Sequence, residues 1–176
     1  MSWDYEDQGS WDKLDWEKIS KSKGLSEDFI ERNSDKLDWE LISQHQKLSE
    51  EFIEKNEDKV DWWFISSYQK LSEEFIDRYS DKVDWEWVAA YQELSEPFIE
   101  KHIDKFKFYW EYISADQELS EEFIIRHIDK IDWEYISEYQ KLSEGFIDRY
   151  FNELDFPSLL SNTKIEEEVR LKLYDL

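Results

Sequence analysis

The feature that most constrains this chain is a short internal repeat. Tryptophan recurs at Trp16, Trp39, Trp62, Trp85, Trp110 and Trp133, with Phe156 in the seventh place, and every step is 23 residues except one of 25. An aliphatic column runs beside it through Ile19, Ile42, Ile65, Val88, Ile113, Ile136 and Leu159, and a second phrase, LSEEFI or a close variant, recurs from Leu25 to Ile147. A period in this range means stacked supersecondary units whose apolar faces are buried only by their neighbours. Six repeats are clear: 12–34, 35–57, 58–80, 81–103, 104–128 and 129–151. Residues 152–176 read as a degenerate seventh repeat that caps the stack. They keep Leu154, Asp155, Ile165 and Val169 but carry Arg170 where Ile is expected, together with Glu166, Glu167 and Glu168. Residues 1–11 form a lead segment, and Trp3 or Trp11 is expected to cover the apolar edge of the first repeat.

Each repeat contains two helix-start phrases, 11 residues apart. In Leu14-Asp15-Trp16-Glu17-Lys18-Ile19, Asp15 is placed to cap exposed backbone N–H groups while Leu14 packs on Ile19 as a staple. In Leu25-Ser26-Glu27-Asp28-Phe29-Ile30, Ser26 is the cap and the acids of the first turn face the positive end of the helix dipole. The spacing leaves about two turns per helix, well under the roughly 12–15 residues at which an isolated helix becomes even marginal. Such helices persist only by packing on neighbouring repeats. No strand alternation is present, so the fold class predicted is all-α: a short-helix α-solenoid of seven two-helix repeats.

Charge sets the function class. The chain has 45 acidic residues against 22 basic ones, a net charge of −23 and a pI near 4.4. Nucleic acid and anionic membrane would both repel it, so a basic, nucleic-acid-binding protein is the expected partner, with neither nucleic acid nor membrane bound directly. With 40% hydrophobic residues and 18% aromatics, the composition supports a packed core despite a mean hydropathy of −0.87. There is no cysteine, no apolar run near the roughly 20 residues of a membrane span, and an acidic start, Met1-Ser2-Trp3-Asp4, where a signal peptide would be basic. A cytoplasmic location is expected. Three histidines and three glycines supply neither a metal set nor a phosphate-binding loop, so no cofactor, metal or enzymatic activity is expected. The recurring acid pairs are too regular to be a single desolvated catalytic pair.

The acids fall in columns that stacking would turn into stripes. Those taken as candidate contacts are Glu50, Glu51, Glu54, Glu73, Glu74, Asp77, Glu96, Glu100, Glu121 and Glu122. If each repeat advances the stack by about 10 Å, seven repeats carry one net charge per roughly 3 Å, close to the roughly 3.4 Å between phosphates along a nucleic-acid strand. Against this, many of the acids have structural work as caps and first-turn residues, and the rest could be a solvated coat. Aromatic residues add candidate anchors, because Trp and Tyr dominate interface hot spots: Trp63, Phe64, Tyr68, Trp87, Tyr91, Tyr112, Tyr135 and Tyr139. Their alternative role is to line the seam between repeats, beside a Gln column (Gln46, Gln69, Gln92, Gln117, Gln140) that could satisfy helix ends. Near Lys107 and Phe108 the fifth repeat has two extra residues, read either as a tolerated bulge or as a bend that a partner recognises.

In wording, the phrase DW-x-x-IS followed by LSEEFI resembles tandem acidic repeats of large DNA viruses and bacteriophages, over about residues 12–151. In period and helical content alone the chain is also similar to a leucine-rich repeat variant. The first resemblance implies a viral setting more than an activity; the acid stripes and aromatics lead to the expectation of a nucleic-acid mimic that occupies and inhibits the binding groove of another protein, and the viral setting makes that target a host defence protein in the host cytoplasm. The alternative expectation is a general protein-interaction scaffold whose acidity serves solubility.

Overall fold

The computed structural model describes residues 14–174, so Trp3, Tyr5 and Trp11 of the lead segment lie outside them. The described chain is an all-α helical-repeat solenoid of seven helix pairs, one pair per repeat, with no strand among the described residues. It divides between Val83 and Asp84 into two compact units.

The first unit holds α1 (Trp16–Ser20), α2 (Glu27–Arg32), α3 (Trp39–His45), α4 (Glu50–Lys55), α5 (Trp62–Tyr68) and α6 (Glu73–Arg78). The second holds α7 (Trp85–Tyr91), α8 (Glu96–Lys101), α9 (Trp110–Asp116), α10 (Glu121–Arg126), α11 (Trp133–Tyr139), α12 (Glu144–Tyr150), α13 (Phe156–Ser161) and α14 (Glu167–Leu173). Odd-numbered helices start at the tryptophan phrase and even-numbered ones at the LSEEFI phrase. Within each unit the closest backbone packing joins successive first helices: α1, α3 and α5 in the first, and α7, α9, α11 and α13 in the second.

The caps fall where the repeat places them. Asp15, Asp38 and Asp61 accept backbone N–H groups of the first turns of α1, α3 and α5, and Asp84, Asp132 and Asp155 do the same for α7, α11 and α13. Ser26, Ser49, Ser72, Ser95, Ser120 and Ser143 cap the second helices in the same way. Each such cap stabilises its helix by about 1 kcal/mol. The degenerate repeat departs as its sequence implies: Glu166 stands where a serine should, and makes no side-chain cap.

Burial is led by the aliphatic columns. Ile42, Ile65, Val88, Ile113, Ile136 and Leu159 are fully buried, as are Ile30, Ile53, Ile76, Ile99 and Ile124. Each contributes about 1.5–3 kcal/mol of transfer free energy. The tryptophan column lies at the edge of this core rather than at its centre. Trp110 is buried, while Trp16, Trp39, Trp62, Trp85 and Trp133 are half-buried. Their flat rings cover the seams: Trp39 stacks on Phe52, Trp110 on Phe123, and Lys36, Lys59 and Lys105 of the following turns lie over Trp16, Trp39 and Trp85. Such ammonium contacts are worth about 0.5–1 kcal/mol at exposed sites.

Two polar ladders set the register. The buried Gln46 donates from Nε2 to the carbonyls of Ser20 and Ser22 and accepts the Leu25 N–H at Oε1, so one side chain satisfies three main-chain groups of the preceding repeat. Gln69, Gln117 and Gln140 repeat this arrangement, and Asn162 continues it from the shorter α13 by donating to Ser137 and Gln140. The second ladder uses hydroxyls. Ser20 and Ser43 in the first unit, and Ser114 and Ser137 in the second, accept the N–H of the next capping aspartate at 2.9–3.0 Å, and Ser20, Ser43 and Ser137 also donate to the tryptophan carbonyl four residues back.

The fifth repeat breaks this second ladder coherently. Tyr109 replaces the capping aspartate, makes no side-chain cap, and gives its own N–H to the Phe106 carbonyl, 2.9 Å away. No hydroxyl is then required in the preceding repeat, and that position is Ala89. The two extra residues, Lys107 and Phe108, extend the turn outward. Phe106 keeps the fully buried place of Leu37 and Val60, while Phe108 is 78% exposed.

Candidate partner-binding surfaces

The structure puts the two candidate sets on different rows. All ten candidate acids lie on second helices, and all eight candidate aromatics on first helices.

The acids divide by their place in the second helix. The first acid of each helix reaches the next repeat: Glu27 and Glu50 accept the Ser49 and Ser72 N–H groups, and Glu96 and Glu121 those of Ser120 and Ser143, at 2.5–2.7 Å. Beyond favouring the helix dipole, as the sequence suggests, these carboxylates clamp one repeat to the next. The acids at the fifth position of these helices are paired. Glu31 meets Lys55, Glu54 meets Arg78, and Glu100 meets both Arg126 and His127. Hydrogen bonds from Arg126, then from His127, hold the Glu100 carboxyl below the usual carboxylate range. Glu73 and Asp77 occupy the corresponding places on α6.

The remaining candidates are Glu51, Glu74 and Glu122, the second residue of α4, α6 and α10. They are exposed and form no hydrogen bond or ion pair among the described residues.

The aromatic residues form steps four residues apart along the first helices. In the first unit Phe64 contacts both Trp63 and Tyr68, and Trp63 and Tyr68 are exposed. In the second unit Trp87 stacks on Tyr91 and Tyr135 on Tyr139, with ring centroids 5.5 and 6.1 Å apart. Tyr91 is 62% exposed and Tyr139 39%. Between these steps α9 offers Tyr112 and Asp116. The Tyr112 hydroxyl donates to Glu86 of the preceding repeat, and burial followed by the Glu86 charge pushes its phenol up. The Asp116 carboxyl is also pushed up, by partial desolvation against this row. Asp116 belongs to the aromatic column by register, but only its surroundings reveal it as part of a surface.

His102 and His127 do not form a joint centre. Each packs within its own repeat, His102 against Trp85 and Phe98, His127 against Trp110 and Phe123. No cluster of three or more His, Asp or Glu side chains suited to a metal occurs among the described residues. A hollow of about 470 Å³ beside the insertion is lined by Ile103, Asp104, Lys107, Phe108, Trp110, Glu111, Asp129 and Lys130 and is open to solvent. No helix among the described residues is long and apolar enough to cross a membrane. Compared with protein-family models, curated proteins and solved structures, the chain matches none.

Proposed function

We propose that this protein is a non-enzymatic acidic binding protein that occupies the nucleic-acid-binding surface of a basic protein and so competes with DNA or RNA. The observation that carries this reading is the acid surplus left after structural roles are assigned. Caps and inter-repeat clamps account for the aspartate column and for Glu50, Glu96 and Glu121, yet Glu51, Glu74 and Glu122 recur in one register with no partner among the described residues, in a chain of net charge −23. Caps could be serine or asparagine and an outer face could be charge-balanced, so self-repulsion of this size needs an external use. Recurring carboxylates would stand in for phosphates before Lys and Arg of the target. The resemblance of the repeat wording to viral and phage repeats supports a competitor that acts on a host defence protein in the host cytoplasm.

The test is affinity capture from cells of the presumed host, eluted in salt steps with and without competing duplex DNA. Retention of basic nucleic-acid-binding proteins that leave at moderate salt and are displaced by DNA is the expected result. Retention that resists both overturns it. That outcome would favour a second reading, an interaction scaffold, for which the observation is an apolar column peculiar to the second unit. Where the first unit has Ser34, Glu57 and Ser80, the second has Ile103, Ile128 and Phe151, the last two exposed, as is Ile125.

A further inference from the structure

The first helices of the second unit have the sequences WEWVAAY, WEYISAD and WEYISEY, which contain five acidic residues and no Lys or Arg. Their outer row, Tyr91, Tyr112, Asp116, Tyr135 and Tyr139, therefore combines aromatic rings and a carboxylate on helices that carry acids and no Lys or Arg. Neighbouring steps sense each other: after burial, Glu86 and Glu111, Tyr91 raises the Tyr112 phenol, while the Tyr139 phenol is raised first by its hydrogen bond with Glu138 and also by Asp116. Tyrosine faces attract cations, and guanidinium both stacks on them and forks onto a carboxylate, which ammonium does less well. Packed helices lie about 8–10 Å apart, so successive steps on α7, α9 and α11 recur at that interval. A polyproline-II segment has three residues per turn and rises about 3.1 Å per residue, which returns every third side chain to one face after about 9 Å.

On the basis of this charge complementarity and spacing, we propose that the row reads an extended arginine-bearing segment of a partner protein, with arginines at every third position and the central one seated on Asp116 between Tyr112 and Tyr139. This rests on the basic-partner reading above and names the part of the partner that is read.

The test uses the full chain and two synthetic peptides of equal composition, (Arg-Ala-Ala)4 and Arg4Ala8, in isothermal titration at low salt. The spaced peptide is expected to bind more tightly. Asp116→Asn should weaken it about tenfold, through loss of a charge-assisted fork, and Tyr139→Ala by about two- to fivefold. The triple variant Glu51→Gln, Glu74→Gln, Glu122→Gln, which alters only second helices, should retain the preference for the spaced peptide. Equal affinity for the two peptides, or an Asp116→Asn variant of unchanged affinity and unchanged circular dichroism, overturns the proposal. If DNA-displaceable proteins are captured while Asp116→Asn has no effect on the peptide, the competitor reading stands and the arginine row falls. If the spaced peptide binds through Asp116 but nothing captured is displaced by DNA, the row stands and the competitor reading falls.

Discussion

The two units are built by the same rules and present different surfaces. In the first, every described step between repeats uses the same parts: a glutamine satisfying three main-chain groups, and a serine hydroxyl receiving the next aspartate's N–H. The second unit keeps the amide ladder, with Asn162 in place of glutamine at its last rung, but drops the serine bond once, at Ala89, where the longer turn satisfies the Tyr109 N–H internally. It also places Ile or Phe where the first unit has Ser or Glu, whereas the described first helices of both units lack Lys and Arg apart from Lys18. The side-chain amide ladder is thus the constant part of the architecture, whereas the hydroxyl ladder is replaceable and the outer positions are open to use.

The sharpest way to break this comparison is to remove a glutamine from each unit. Gln46→Leu and Gln117→Leu each strand two carbonyls and one N–H in a buried seam, and each should destabilise its unit by about 3 kcal/mol or more, read by urea denaturation. A loss under about 1 kcal/mol in either would show that the ladder is not what the two units share.

A smaller and asymmetric effect is expected from the hydroxyls. Ser43→Ala leaves the Asp61 N–H without its acceptor and should cost about 1–2 kcal/mol, while Ala89→Ser in the second unit should gain nothing, because Tyr109 already has an acceptor in Phe106. Equal and opposite changes at the two sites would refute the explanation given for Ala89.

Glu100→Gln tests an inter-repeat ion pair of the second unit. A carboxyl held below its usual range stabilises the fold above its unfolded pKa, and that contribution is lost as pH falls through its folded value. The variant should therefore melt slightly lower than the parent at neutral pH, with the difference closing below about pH 4. A deficit that persists in acid would mean that packing, not charge, is responsible. Least of all is expected from Phe108→Ser: at 78% exposure the ring adds little to stability, and the change should stay within about 0.5 kcal/mol in a melt.

Much of the fold was legible in the sequence because a repeat states the same physics many times. Asp and Ser before each Trp or Glu marked both helix starts, and the recurring Ile columns marked the fully buried positions. The tryptophans were harder to place: a large indole suits a core, but its N–H needs an acceptor and its ring a cover, which Trp39 finds in the Ser34 carbonyl and Lys59 at the edge of the seam. The site was only partly legible. Sequence columns group acids by register, yet Glu50, whose carboxylate holds Ser72, and Glu51, which faces solvent, are neighbours with identical side chains. Their difference lies one repeat away. The basic-free first helices could have been found by counting Lys and Arg helix by helix, and Asp116 by noticing a carboxylate in an otherwise aromatic column.

The most direct measurement is capture from host lysate with the parent and the triple variant Glu51→Lys, Glu74→Lys, Glu122→Lys, alongside a melting curve for each. These side chains have no partner among the described residues, so the variant should keep the parent's melting temperature and lose the proteins that salt and duplex DNA displace. A folded variant that retains them unchanged would contradict the claim that the acids left over by the fold are the ones a basic partner meets.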